Sequence, residues 1–216
     1  MAAAATRFRV IVVDDHPVIR RGVRDILSDC TRIDVVGEAT SGGEAMRLVS
    51  ELKPDLVLLD VTLPDRSGIE VLKDLILTYP TVRVLVLSIH PEEQYAVRAL
   101  RAGASGYLTK ESAPEELVKA IERVMEGGLY VTEEIAVQLA RFGEKARNEV
   151  PAHELLSDRE FEVLRLLGQG KSISQIADEL ELSVKTVSTY RTRILEKLGK
   201  ETTADLIRYA VEHRLV

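Results

Sequence analysis

Val10-Ile11-Val12-Val13 runs straight into Asp14-Asp15, and three more runs of the same kind follow. Leu56-Val57-Leu58-Leu59 meets Asp60, Val84-Leu85-Val86-Leu87 meets Ser88, and Gly106-Tyr107-Leu108-Thr109 meets Lys110. Runs this short, rich in β-branched residues and leucine, suit strands buried on both faces, as in a parallel sheet. Parallel strands share a carboxyl edge, and ligand sites in open α/β sheets form just outside it. Three carboxylates, a hydroxyl and an amine are therefore expected at one place. Asp60 is the candidate nucleophile, because a carboxylate can take a phosphoryl group as an acyl phosphate. Asp14 and Asp15 offer a sparse acidic site of the kind that holds Mg²⁺, which neutralises the incoming charge. Lys110 supplies a point charge and Ser88 a hydrogen bond to phosphoryl oxygens. Taken singly, an Asp after an apolar run is commonly a turn or cap residue, and a strand-end Lys is commonly only solvated. Four strand ends of compatible chemistry outweigh those readings.

Outward from these runs the pattern alternates. Helical periodicity falls on residues 17–29, 43–51, 67–78, 93–101 and 114–126, and Ile33–Ala39 adds a fifth strand. Five strands alternating with five helices predict right-handed crossovers and a doubly wound sheet over residues 1–128. Gly127-Gly128 closes the last helix. Residues 129–155 form a linker, with one helix expected over residues 133–142 and Gly143, Asn148 and Pro151 marking a tether. From 156 to 216 the pattern is purely helical. Ser157-Asp158-Arg159-Glu160 is a capping box opening the first of four helices, and Ser172 and Ser183 cap the second and third.

The 216 residues suffice for two modest domains, and 30% charged residues are ordinary for a globular protein. No apolar stretch approaches the roughly 18 residues of a membrane span. Met1–Arg9 lacks the apolar core of a secretory signal, and the lone Cys30 suits a reducing compartment, so a cytoplasmic location is expected. The histidines His16, His90, His153 and His213 have no zinc-ligand spacing. The net charge of −6 argues against nucleic acid until its distribution is considered. Between Ser183 and Lys200 five basic residues face one acid, a net of +4. Alone, such a run is commonly a solvated helix face.

The link Glu181-Leu182-Ser183 has the length of a helix-turn-helix connection. Placing the following helix at about 100° per residue puts Val187, Ile194 and Leu198 on one stripe facing a core. Lys185, Ser188, Thr189 and Thr192 cluster opposite, suited to base edges in a major groove. Thr186, Arg191, Arg193, Lys197 and Lys200 lie at the flanks or end, where phosphate contacts position the helix. A helical protein-interaction module fits the amphipathic pattern equally well.

These residues resemble a known family along the whole chain. The acidic pair after the first strand, Leu58-Leu59-Asp60-Val61-Thr62-Leu63-Pro64 with Gly68, then Ser88, Tyr107 and Lys110, are similar to the receiver of bacterial two-component response regulators. Leu156-Ser157-Asp158-Arg159-Glu160, Gly170, Ile176-Ala177, Leu182-Ser183, Thr186-Val187 and Lys197-Leu198 resemble the LuxR-type domain of the NarL/FixJ subfamily. The resemblance implies a flavodoxin-like receiver followed by a small four-helix helix-turn-helix domain. It implies Asp60 as phosphoacceptor, a Mg²⁺ site of Asp14, Asp15, Asp60 and the Thr62 carbonyl, and Ser88 with Tyr107 as switch pair. The implied partners are a sensor histidine kinase and double-stranded DNA with paired half-sites, bound by a homodimer through the last helix. It implies no enzyme beyond its own phosphotransfer and dephosphorylation. Three residues depart from the pattern. Glu111 stands where a proline is common, Ile89 where a small residue is common, and Tyr190 where histidine is frequent.

A dinucleotide site would need G-x-G-x-x-G where the chain has Asp14-Asp15-His16-Pro17. A haloacid-dehalogenase-type phosphatase would need a second acid where Thr62 stands.

Overall fold

Every apolar run forms a strand: β1 spans Phe8–Val13, β2 Ile33–Ala39, β3 Leu56–Leu59, β4 Arg83–Ser88 and β5 Gly106–Thr109. They lie in the order β2-β1-β3-β4-β5, with each adjacent pair parallel. The helices between them are α1 (Pro17–Ser28), α2 (Gly42–Leu52), α3 (Gly68–Thr78), α4 (Glu92–Arg101) and α5 (Pro114–Met125). This computed structural model describes residues 7–89, 92–112, 114–133, 135–137, 139 and 151–216. Two compact units divide the chain, Met1–Leu139 and Ala140–Val216.

Strand periodicity builds the first core. Val10, Val12, Leu56, Leu58, Leu85, Leu87 and Leu108 share one cluster with Val23 and Leu27 of α1 and Leu117, Ile121 and Val124 of α5. Alternate residues Ile11, Val13, Val57, Leu59, Val84 and Val86 are equally buried and point to the other sheet face. Each such side chain removed from water contributes roughly 1.5–3 kcal/mol, so the apolar runs hold their strand ends in fixed register. Helix starts follow the local chemistry. Pro17 occupies the first turn of α1, while Ser41 and Ser67 accept N–H bonds from Glu44 and Ile69.

The stretch expected to be linker begins differently. The Tyr130 N–H donates to Ser105 O at 3.0 Å, and the Tyr107 N–H donates to Tyr130 O at 3.3 Å, a parallel bridge on the β5 edge. Gly106 permits this approach, since a Cβ there would lie 2.8 Å from Tyr130 O. Backbone pairing at a sheet edge leaves little side-chain pattern, which is why a turn-rich stretch hid it. Of the helix expected over residues 133–142, residues 133, 135–137 and 139 are helical. The rest of it, with Gly143 and Asn148 of the tether, lies outside the described residues, as does His90.

The second unit opens with a 3-10 turn at Ala152–Leu155, followed by α6 (Asp158–Gly168), α7 (Ile173–Glu179), α8 (Val184–Leu198) and α9 (Thr203–Glu212). Ser157, Ser172 and Ser183 cap as their spacing predicts, and Thr202 caps α9. Between α7 and α8, Glu181 takes a left-handed φ of 52°, and the Leu182 N–H returns to Ala177 O at 2.8 Å. A non-glycine residue in that region costs on the order of 1 kcal/mol, here set against burial of Ile176, Leu180 and Val187.

Candidate phosphoryl site and nucleic-acid interface

Backbone bonds at the carboxyl edge bring the loaded residues together. The Asp60 N–H donates to Val13 O (2.9 Å), the Asp14 N–H to Ala39 O (3.1 Å) and the Lys110 N–H to Ser88 O (2.8 Å). Each strand end is thus tied to its neighbour just where the charged side chains leave the sheet. Lys110 Nζ lies 2.6 Å from both Asp14 Oδ2 and Asp60 Oδ2, with all three side chains at most 5% exposed. The Thr62 N–H donates to Asp60 Oδ1 at 3.3 Å. Ser88 and Tyr107 are buried, at 0% and 1% exposure.

The charge balance is uneven. Asp14, Asp15 and Asp60 face the one Lys110 ammonium, a net of −2. Burial pushes the Asp60 carboxyl up; Lys110 pulls it down and Asp14 pushes it up again, leaving it at about 6. Burial alone would lower the Lys110 ammonium, but Asp60 and Asp14 hold it above its ordinary value. Asp15 Oδ1 is buried without a hydrogen-bond donor, although His16 Nδ1 lies 2.6 Å away. Ligand atoms of Asp14, Asp15, His16 and Asp60 all fall within 4.8 Å of one another. An oxygen-rich set with surplus negative charge and one undonated carboxylate oxygen fits a hard divalent cation.

Two residues near this site carried little sequence signal. Histidine spacing gives His16 no zinc role, but its backbone N–H donates to Asp14 Oδ1 at 2.9 Å and its ring lies within the acidic cluster. Gly68 entered only as part of a motif. Its N–H donates to Val61 O at 2.7 Å, and a Cβ there would stand 1.9 Å from Asp60 O. Only a glycine lets α3 begin against the backbone of Asp60. Ile89, next to Ser88, is 64% exposed.

In the second unit α8 turns Val187, Ile194 and Leu198 inward, as its period predicts. Lys185, Thr189, Thr192 and Arg193 are exposed, and Ser188, Thr186, Arg191 and Lys200 are half-buried. Thr186 Oγ1 lies 2.7 Å from the capping Ser183 Oγ. Lys197 and Lys200 have partners that charge counting could not supply. Lys197 Nζ bonds Glu160 Oε2 at 2.6 Å, and Lys200 Nζ sits 5.7 Å from the centre of the Tyr209 ring. Glu160 also accepts the Ser157 N–H at 2.7 Å, so one carboxylate closes the α6 cap and holds α8. Burial would raise Glu160, but Lys197 and the Ser157 N–H keep it below the usual carboxylate range.

Known proteins share both halves. Residues 10–122 match the profile of the response regulator receiver domain, and residues 154–210 match that of bacterial regulatory proteins of the luxR family. The chain is 38% identical over 208 residues to the response regulator GacA of Pseudomonas aeruginosa, covering 96% of this chain and 97% of that one. To the response regulator UvrY of Escherichia coli it is 34% identical over 206 residues, covering 95% and 94%. Among solved structures it resembles RcsB from Salmonella enterica serovar Typhimurium bound to promoter rprA in the presence of phosphomimetic BeF3-. That match has a TM-score of 0.63 and 26% identity, over 94% of this chain and 98% of that chain. The chain belongs to the two-component response regulators that join a receiver domain to a LuxR-type DNA-binding domain, the NarL/FixJ arrangement.

Proposed function

We propose that Asp60 accepts a phosphoryl group from a sensor histidine kinase and that the modified chain reads DNA through α8. The observation that carries this is the Lys110 ammonium clasped between Asp14 and Asp60, drawn from three strand ends. In the transfer an Asp60 carboxylate oxygen bonds to phosphorus as the bond to the donor nitrogen breaks, and the donor imidazole leaves with the electron pair. Lys110 exchanges one Asp60 oxygen for a phosphoryl oxygen, and the Thr62 N–H and the Ser88 hydroxyl serve others. Asp14, Asp15, Asp60 and the Thr62 carbonyl would hold a Mg²⁺ ion, which would supply the positive charge that lets anion approach anion. The residue two places after Asp60 is Thr62, not the second acid that would speed hydrolysis, so the phosphoryl group is held as a signal, and the chain's catalysis is confined to its own phosphotransfer and dephosphorylation. Ser88 and Tyr107 form the switch, the hydroxyl moving toward the phosphoryl group and the ring packing behind it. That change biases a pre-existing equilibrium toward the DNA-binding form.

For DNA, Lys185, Ser188, Thr189 and Thr192 face base edges, while Thr186, Arg191, Arg193, Lys197 and Lys200 serve phosphates. One helix reads only a few base pairs, so a homodimer formed through α9 binds two half-sites. We place its action in the cytoplasm, where bacterial DNA and a cytosolic kinase domain meet it. The domain division follows as 1–128 for the receiver, 129–155 for the linker and 156–216 for the DNA reader, with Tyr130 paired onto the receiver edge.

Incubating the full chain with a small phosphodonor and Mg²⁺ tests the phosphoryl site. Wild type takes up phosphate and Asp60→Ala does not; equal uptake by both removes the assignment. In gel shifts at several salt concentrations, sequence preference that survives in the wild type supports DNA reading, and uniform weak binding refutes it.

A further inference from the structure

Thr189 and Thr192 stand one turn apart on the exposed side of α8. Neither hydroxyl hydrogen points outward. Thr189 Oγ1 donates to Lys185 O at 3.0 Å, and Thr192 Oγ1 donates to Ser188 O at 3.1 Å. Bonding back to the carbonyl four residues earlier is open to Thr in a helix. It leaves each oxygen presenting only lone pairs to whatever lies across the face. Lys185 on the same face is the opposite, with three donors and no acceptor. The three exposed residues of the base-facing set, Lys185, Thr189 and Thr192, therefore combine one donor head with two acceptor oxygens, while Ser188 is half-buried.

Resting on the DNA-reading proposal above, we infer that Thr189 and Thr192 select amino bases, adenine or cytosine, on the strand they face and reject the keto bases guanine and thymine. In the major groove adenine N6 and cytosine N4 offer hydrogens, whereas guanine O6 and thymine O4 offer lone pairs. A back-bonded threonine meets the first pair with a hydrogen bond. It meets the second with lone pair against lone pair, unless its hydroxyl abandons the helix carbonyl. Lys185 takes the complementary part and selects guanine O6 and N7. An α8 face with this donor and acceptor order distinguishes the two strands of a half-site, because each base pair carries its amino group on one strand only at a given position.

The test uses the full chain with Mg²⁺ and a small phosphodonor, at one fixed salt concentration, selecting from duplexes with a random central segment. Wild type is compared with Thr189→Val, Thr192→Val, Thr189→Ser and Thr192→Ser. Valine keeps the shape and the helix propensity class while removing the acceptor. Each valine variant is expected to lose an adenine or cytosine preference at one position, shifting toward the thymine methyl. Its affinity for the wild-type site falls roughly 3- to 10-fold, the worth of one net hydrogen bond. The serine variants keep the wild-type preference. Replacing the selected adenine or cytosine by an analogue lacking the exocyclic amino group weakens wild type by the same factor and leaves the matching valine variant unchanged. Guanine or thymine at the positions that respond to valine overturns the inference, as does selection unaltered by valine. If wild type enriches no sequence at all, the DNA-reading proposal falls and takes this inference with it.

Discussion

Gly68→Ala should disable the receiver from a position that bears no reactive group. The added methyl would stand 1.9 Å from Asp60 O and 2.8 Å from both Asp60 C and Val61 Cα. Real Cβ contacts do not fall under 3.0 Å, so the start of α3 and the end of β3 must part by at least about 1.1 Å. Neither side yields readily. Ile69, Leu72 and Leu75 anchor α3 in the core, and Asp60 is tied through its N–H to Val13 O. Overpacking against backbone of this kind costs about 3 kcal/mol. The same displacement moves Asp60 out of its 2.6 Å contact with Lys110. A misplacement near 1 Å is worth roughly a hundredfold in rate. Denaturant unfolding measures the first effect, and the initial rate of phosphate uptake from a small phosphodonor at saturating Mg²⁺ measures the second. Gly43→Ala is the control, since its Cβ would meet only Asp65 Oδ2 at an ordinary 3.6 Å. If Gly68→Ala unfolds within about 0.5 kcal/mol of wild type and takes up phosphate at an unchanged rate, the close approach does not position Asp60.

In chelator, Asp60→Asn should stabilise the fold at pH 8 by up to about 3 kcal/mol, since the native carboxyl sits at about 6 against an ordinary 3.8. The folded group keeps its proton to higher pH than the unfolded one, so ionisation disfavours the fold. The gain is therefore complete above about pH 7 and vanishes near pH 4; urea midpoints across pH that show no gain at pH 8 would refute it. Lys197→Met should cost about 1 kcal/mol at pH 7, because it strips a half-exposed lysine from a Glu160 side chain only 3% exposed. With Glu160 held below its usual range, that loss persists above about pH 5 and fades as acid protonates the carboxylate. Wild-type stability in this variant, with only a flatter salt dependence of DNA binding, would make Lys197 a phosphate contact alone.

Strands and helix faces were legible because burial imposes periods of two and 3.6, and both the Val10 run and the Val187-Ile194-Leu198 stripe obey them. The convergence of Asp14, Asp60 and Lys110 was equally legible, since parallel strands leave no other place for their ends. What the pattern concealed depends on contacts without periodicity. Gly68 acts by what it lacks, and no composition rule distinguishes it from a turn glycine. Glu160 looks like a helix cap and is one, yet the same Oε2 also accepts from Lys197, thirty-seven residues away. The charge of Lys197 suits a phosphate, and charge says nothing of a partner on another helix. Tyr130 pairs with the β5 edge through backbone groups, which every residue possesses.

The phosphoryl site draws its parts from distant stretches of chain, Lys110 lying fifty residues beyond Asp60. A polypeptide emerges from the ribosome N-terminus first, so Asp60 has no counter-charge until residue 110 and the strand beneath it have appeared and docked. Long-range parallel pairing is among the slower steps of folding. The contact between Lys110 and Asp60 therefore forms late in the folding of the first unit. A receiver cut short before β5 holds Asp14, Asp15 and Asp60 together with no Lys110 ammonium set against them.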